Sequence, residues 1–186
     1  GPKSEERRMM RSPMFGRLSG SKEILPPVKP IHITLTLLAA LMINLLPLTG
    51  WVLTLRPDFV ALMLLYWGIH QPRMIGFLPA WLLGLAIDVA DGSLLGQHAL
   101  AYSVMMFAAI ALHRRVSMFD MRHQILHILP ILLVMQLIVL GVRGAAGAEF
   151  PRWWYFLASI TGALLWPVTD LLLKGALRKR PDPDEA

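Results

Sequence analysis

Six long uncharged stretches divide the chain, with short charged or polar segments between them. They cover residues 30–55, 59–72, 74–87, 92–113, 123–142 and 153–169. A helix needs about 20 apolar residues to cross the hydrocarbon core of a bilayer. The second and third stretches reach this length only when Arg56-Pro57-Asp58 and Asp88 at their ends are included. The pattern predicts an all-α integral membrane protein with a six-helix transmembrane bundle over residues 30–174.

Composition agrees with a membrane protein. Hydrophobic residues make up 55% and charged residues 16% of the 186 residues, whereas charged residues are about 25% of ordinary soluble domains. The chain contains no cysteine. This excludes disulfide scaffolds, thiolate zinc sites and cysteine nucleophiles.

The basic residues lie mainly on one side of the predicted bundle. With both termini in the cytoplasm, fifteen of the eighteen Lys and Arg residues are cytoplasmic, and Arg56, Arg143 and Arg152 are outside. The positive-inside rule therefore predicts that the N-terminus and the C-terminus both face the cytoplasm. The net charge of +6 also suggests nucleic acid, but the same rule already explains the surplus. We expect no nucleic-acid partner.

The flanking segments are predicted to be cytoplasmic. Residues 1–29 open with Gly1-Pro2, which is typical of the remnant of a cleaved purification tag, and continue as a basic segment. Residues 175–186 are first basic and then acidic. We expect no cleavable signal peptide, because the first apolar run begins only at Ile31 and no small-residue cleavage pattern follows it.

Small residues follow one face of the third predicted helix. Gly76, Ala80 and Gly84 recur every four residues, and Asp88 and Gly92 continue the spacing. This places a narrow groove on one helix face, leading to a carboxylate. The groove either packs inside the chain, as is frequent in membrane helices, or receives a helix of a partner.

Among single residues, Asp88 is the strongest candidate for a functional side chain. It is predicted in the outer half of the membrane, where a carboxylate is costly without a partner and often marks a function. Its candidate partners are the three outside arginines, Arg56, Arg143 and Arg152. A structural ion pair, or a helix-end carboxylate that reaches water, is the alternative.

Other polar residues receive structural interpretations. Asp170 lies four residues before Lys174, a spacing that favours a local ion pair between the two side chains on one helix. Asn44 and Gln136 lie in apolar stretches and would bond across helices or line a polar cavity.

We find no pattern typical of an enzyme. GxSxG elbows, Walker A loops, HExxH and paired-carboxylate motifs are absent from the sequence. His123 and His127 share a helix face, but two ligands do not make a zinc site. We predict no catalytic residues, no cofactor and no metal.

Five short motifs carry a family resemblance. They are Arg56-Pro57-Asp58-Phe59, Leu64-Leu65-Tyr66-Trp67, His70-Gln71-Pro72-Arg73, Asp88 followed by Asp91-Gly92-Ser93-Leu94-Leu95-Gly96, and Trp166-Pro167. In this order they resemble the bacterial rod shape-determining protein MreD family. The resemblance covers the chain from about residue 35 to residue 174.

The resemblance implies a non-enzymatic protein of the bacterial inner membrane. Its fold would be similar to the substrate-binding subunit of energy-coupling-factor vitamin transporters. It would bind the single-span protein MreC within the elongasome, with the actin-like MreB, the glycosyltransferase RodA and its partner penicillin-binding transpeptidase, which build the lateral cell wall. Membrane lipids are further expected neighbours.

These observations combine into a docking hypothesis. The membrane helix of MreC would pack on the small-residue face, while the Arg-Pro-Asp motif and residues 88–92 would shape an outer docking surface. The candidate residues are Arg56, Pro57, Asp58, Gly76, Ala80, Gly84, Asp88, Asp91 and Gly92.

Two other interpretations stay open. A vitamin-binding transporter subunit typically carries Ala-xxx-Ala on its first helix, but here Ile43 follows Ala39 and Asn44 follows Ala40 at that spacing. Ligand binding within the bundle is compatible with this departure. The remaining interpretation is a membrane protein whose polar residues are all structural.

Overall fold

The computed structural model describes residues 28–178, which are helical without any strand in that range. The helices are α1 (Pro30–Asn44), α2 (Trp51–Leu55), α3 (Phe59–His70), α4 (Phe77–Ala90), α5 (Gln97–Met118), α6 (Met121–Ala145), a 3-10 helix (Trp153–Phe156) and α7 (Leu157–Arg178). The predicted tag remnant, nearly all of the basic N-terminal segment and residues 179–186 of the tail lie outside the described residues.

Six helical segments result, because α2 and α3 form one broken segment. Four segments are long and apolar enough to cross a membrane, namely Trp51–His70, Gln97–Met118, Met121–Ala145 and Trp153–Leu177. α1 and α4 are apolar but shorter, with 15 and 14 residues. The prediction of an all-helical protein with six helical segments is confirmed. The likeness to a transporter subunit and the orientation of the termini stay predictions.

The predicted carboxyl end of the first helix, residues 30–55, is wrong. α1 ends at Asn44, and residues 51–55 belong to the second segment. Pro47 has no N–H to donate and disfavours helical geometry at Leu46. Gly50 has a φ of +67°, which is left-handed backbone that favours glycine. These two residues reverse the chain.

The antiparallel segments give the bundle two ends, which we name by their aspartates. The Asp58 end holds the carboxyl ends of α1, α4 and α6 and the starts of α3 and α5. The Asp170 end holds the starts of α1, α4 and α6 and the carboxyl ends of α3, α5 and α7. Both ends of the described chain therefore lie at the Asp170 end.

Helix α3 lies in the centre of the bundle. Nine of its twelve residues are buried, and it packs against α1, α5 and α7. The buried indole of Trp67 donates to Oγ1 of Thr36 on α1 at 2.9 Å. The indole of Trp166 on α7 donates to Oε1 of Gln124 on α6 at 3.0 Å. Both contacts satisfy the N–H that a buried tryptophan brings into an apolar core.

Candidate docking site at the Asp58 end

The Arg56-Pro57-Asp58 motif forms the break between α2 and α3. Arg56 is extended, with ψ of 119°, as expected for a residue before proline. Asp58 is the N-cap of α3, and its Oδ1 accepts from the backbone N–H of Ala61 at 3.0 Å. A carboxylate at this position satisfies a free N–H and complements the positive end of the helix dipole.

Asn44 fastens this break to the end of α1. Its Nδ2 donates to Oδ1 of Asp58 at 2.8 Å, and its Oδ1 accepts from the N–H of Phe59 at 3.1 Å. The Arg56 guanidinium donates to the carbonyl oxygen of Asn44 at 2.7 Å. Arginine at a helix carboxyl end satisfies a free carbonyl and suits the negative end of the dipole. Of the two predicted roles for Asn44, the structure shows bonding across helices, and Asn44 also borders the cavity described below.

Tyr102 joins α5 to the same aspartate. Its fully buried hydroxyl donates a hydrogen bond to Oδ2 of Asp58. Asp58 therefore links α1, α3 and α5 through side-chain contacts.

Asp88 binds the start of α5. It is fully buried, and its Oδ2 accepts from the N–H of Gly96 at 2.8 Å. Its Oδ1 accepts from the N–H of His98 at 3.1 Å and lies 2.7 Å from Nδ1 of the same residue. The hydroxyl of Ser93 adds a contact at 3.3 Å. The carboxylate thus occupies the positive end of a helix dipole.

The prediction that an arginine pairs with Asp88 is wrong. Within residues 28–178, Asp88 forms no ion pair with Arg56, Arg143 or Arg152. Backbone N–H groups and one histidine satisfy the charge locally. This arrangement belongs to the structural alternative.

The loop between α4 and α5 wraps around Asp88. Gly92 and Gly96 have φ values of +60° and +100°, where other residues are strained. The N–H of Ser93 donates to the carbonyl of Asp88 at 3.0 Å. Asp91 is exposed on the outer side of this loop.

The small-residue face of α4 is filled by α5. Ala80 is fully buried, and a Cβ on Gly84 would lie 2.4 Å from the backbone of Ala99. Gly76 is the residue before α4, so it lies outside the helix. Ala80 and Gly84 therefore offer no free surface to a partner helix while α5 is in place.

A cavity of about 470 Å³ opens at the Asp58 end. All six helical segments contribute to it. We call it the Asp58 cavity, and its lining is Asn44, Leu53, Thr54, Arg56, Pro57, Asp58, Ile87, Asp91, His98, Met135, Gln136, Val139, Arg143, Pro151, Trp154, Tyr155 and Ala158. It brings the Arg-Pro-Asp motif together with Asp91.

Two charged side chains of the Asp58 cavity lack a partner within the described part of the chain. Neither Arg143 nor Asp91 makes a side-chain hydrogen bond or ion pair there. At the rim, the Arg152 guanidinium lies 4.8 Å from the ring centroid of Trp154. The rings of Trp51 and Trp154 meet edge to face at 6.3 Å between centroids. Such aromatic residues are typical of a membrane–water interface.

A family model for the rod shape-determining protein MreD matches residues 28–175. The chain belongs to the MreD family. The rod shape-determining protein MreD of Haemophilus influenzae is 30% identical over 125 residues, which cover 67% of this chain and 77% of that protein. No solved structure matches the chain. The resemblance inferred from the motifs is confirmed.

Membership of the MreD family assigns a role in cell shape. The family is one of shape-determining structural proteins, and the four long apolar helices agree with a multi-pass membrane protein.

Two other sequence predictions concern sites away from the Asp58 cavity. Asp170 and Lys174 form the predicted ion pair within one helix, with Nζ of Lys174 2.9 Å from Oδ2 of Asp170. Asp170 also accepts from the buried Tyr66 hydroxyl at 3.3 Å. The rings of Phe119 and His127 are stacked at 4.8 Å between centroids, and no group of three potential metal ligands occurs among the described residues.

Several residues of the Asp58 end were predicted from the sequence incompletely or not at all. Tyr102 has no local signal, because its partner Asp58 is 44 positions away. Gln136 was noticed without a partner; its Nε2 donates to the carbonyl of Tyr155 at 3.1 Å, and it lines the cavity. Arg143 was recognised only as an outside cation. A buried polar group in a membrane bundle predicts that a partner exists, but not which one.

Proposed function

We propose that this MreD family protein is a non-enzymatic membrane scaffold that binds MreC at the Asp58 cavity. Through MreC it links MreB to lateral peptidoglycan synthesis by RodA and its penicillin-binding transpeptidase. The protein lies in the bacterial inner membrane with both termini in the cytoplasm. The main support for this proposal is the cavity, which is open at one end of the bundle and lined by all six helical segments.

The cavity supports docking of a peptide segment better than catalysis. Asp58 is held by Asn44, Ala61 and Tyr102, so its position is fixed. Arg143 and Asp91 carry opposite charges, and neither side chain is paired with a described neighbour. Opposite charges beside apolar and aromatic surface are typical of the polar rim of a protein–protein interface, where they fix the register of the bound partner.

The position of the cavity suits a single-span partner. The positive-inside rule places the Asp58 end outside the cytoplasm. A partner helix that crosses the membrane beside the bundle emerges at this level, and the segment that follows it can enter the cavity. The Arg-Pro-Asp motif and Asp91 then contribute to docking, whereas Asp88 and Gly92 hold the loop in shape.

Co-purification with MreC after filling the cavity tests this proposal. Thr54 lines the cavity, and its neighbour Leu55 is exposed and does not. We expect Thr54→Trp to reduce the MreC retained on the purified protein at least tenfold, while Leu55→Trp retains it. Equal retention by the two folded variants would reject the cavity as the MreC site.

Charge reversal gives a second comparison at the same end. Asp91 lines the cavity, and Glu149 is exposed outside it. Asp91→Lys is expected to weaken MreC retention about fivefold or more, because one interfacial charge pair becomes a repulsion. Glu149→Lys should leave it unchanged. An equal loss in both would indicate a general charge effect instead of a site.

The volume of the cavity supports a second candidate, a small-molecule binding subunit of a transporter. About 470 Å³ lies within the range of roughly 300–1,000 Å³ that is usual for ligand pockets. Ala40 is buried, however, and the exposed Ala39 is followed at the four-residue spacing by Ile43, so α1 lacks an exposed Ala-xxx-Ala surface for an energising module. Binding of a vitamin by calorimetry, abolished by Thr54→Trp, would favour the transporter. Retention of MreC without vitamin binding favours the scaffold.

A further inference from the structure

A second cavity lies between α1 and α4, near the Asp170 end. α1 packs mainly on α3, and α4 packs mainly on α5, so the two helices leave a cleft of about 360 Å³ between them. We call it the α1–α4 groove. It is separate from the Asp58 cavity, with which it shares no lining residue. It is also not the face of Ala80 and Gly84, which α5 covers.

The surface of the α1–α4 groove is hydrocarbon. Buried Leu37 and Ile75 form its inner part, and exposed Leu78 and Leu82 form its outer part. Thr34 is the single polar side chain in the lining, and its hydroxyl donates to the carbonyl of Pro30 at 3.1 Å. The lining thus holds no unpaired side-chain donor for a polar ligand.

Positive charge lies at one end of the groove. Pro30 and Met74 line that end, and the residues immediately before them are Lys29 and Arg73, both exposed. α1 and α4 also start there without side-chain caps, so the positive ends of two helix dipoles add to the field. Arg73 closes the His70-Gln71-Pro72-Arg73 motif, to which the docking site gives no role.

We propose that the α1–α4 groove is a binding site for an anionic phospholipid. An acyl chain lies along the apolar lining, and the phosphate lies between Lys29 and Arg73. The groove supplies the apolar surface, and the two cations supply the preference for a negative headgroup. The site retains anionic lipid at the side of the bundle that carries the basic residues.

The groove is compatible in size with one acyl chain, since it holds about 360 Å³. The exposed cations Lys29 and Arg73 at one end favour a lipid with a negative headgroup over an apolar partner helix, because an apolar helix brings no negative charge to them.

Native mass spectrometry of the full-length protein in detergent tests the headgroup preference. The probes are phosphatidylglycerol and phosphatidylcholine with identical acyl chains. Each near-surface cation contributes about fivefold to the binding of anionic lipid. We therefore expect K29Q/R73Q to bind phosphatidylglycerol roughly 30-fold more weakly and phosphatidylcholine unchanged.

The matched control removes two cations at the same end of the bundle but away from the groove. R114Q/R115Q should bind phosphatidylglycerol like the unaltered protein. An equal loss in this control, or equal binding of the two lipids by the unaltered protein, would overturn the proposal.

A photocrosslinking experiment in native membranes identifies the occupant directly. p-Benzoylphenylalanine at Leu78 is expected to give an adduct with the mass of one phospholipid, reduced at least fivefold in K29Q/R73Q. An adduct of protein size would show that a partner helix fills the groove. That result would overturn the lipid site and leave the MreC test at the Asp58 cavity unaffected.

Discussion

Nδ1 of His98 lies 2.7 Å from Oδ1 of Asp88, ten residues earlier in the chain. The same carboxylate accepts from the N–H groups of His98 and Gly96, so one buried aspartate closes the loop between α4 and α5. Because the loop also carries Asp91, which lines the Asp58 cavity, we expect the geometry of the candidate docking site to depend on this contact.

Replacement of Asp88 by asparagine should destabilise the protein. An amide keeps one acceptor oxygen but turns an NH₂ toward groups that now donate to the carboxylate. We expect the free energy of unfolding to fall by about 2 kcal/mol, or roughly 4–8 °C in melting temperature, measured by thermal unfolding in detergent. Asp91→Asn, three residues away and exposed, is the control. Equal melting temperatures for both variants would contradict the structural role of Asp88.

Tyr102→Phe tests the contact between α5 and Asp58. The variant keeps the ring in the core and removes only the hydroxyl that donates to the carboxylate. A hydrogen bond to a charged group contributes about 1.5–3 kcal/mol, so we expect a measurable drop in thermal stability. Tyr155→Phe is the matched control, because its hydroxyl bonds to no described residue. A larger effect at Tyr155 would argue against the link.

Gly84→Ala tests the packing of α4 on α5. The new methyl group would lie 2.4 Å from backbone atoms of Ala99, which cannot move as a side chain can. Overpacking of this kind costs about 1–3 kcal/mol. Gly141→Ala at an exposed position of α6 meets open space and should be neutral or slightly stabilising, since alanine favours helix. Folded yield and melting temperature in detergent provide the comparison, and a stable Gly84→Ala protein would contradict the close approach.

Single cysteines test the orientation of the bundle, because the chain has none of its own. Glu149 at the Asp58 end and Met118 at the Asp170 end are both exposed. A membrane-impermeant maleimide should label Glu149→Cys in spheroplasts with an intact inner membrane, and Met118→Cys only after lysis. The reverse pattern would show that the positive-inside assignment is inverted.

The uncharged stretches predicted the six helical segments well, because a segment buried in hydrocarbon carries few charged residues. This pattern failed between α1 and α2, where hydropathy stays high across residues 45–50 although Pro47 and Gly50 end the helix. The proline and glycine were visible in the sequence, and a length of 26 residues was already generous for one span.

The candidate site was predicted less completely, for a different reason. The sequence identified Asp88 as a residue in need of a partner, and charge alone pointed to arginines. The structure supplies N–H groups from the start of α5, which carry no signal in the amino-acid composition. Likewise the spacing of Ala80 and Gly84 identified a packing face, but not the helix that covers it.

α1 and α4 reach only about 22 and 21 Å, from 15 and 14 residues at roughly 1.5 Å each. Hydrocarbon about 30 Å thick exceeds that height, and a bilayer accommodates so short a span by thinning locally, by flanking residues that reach the interface or by association of short spans. Thinning has an elastic cost that falls when two such depressions merge. A bilayer thinned at this flank would therefore favour neighbours with equally short spans, through the lipid itself and without contact between side chains.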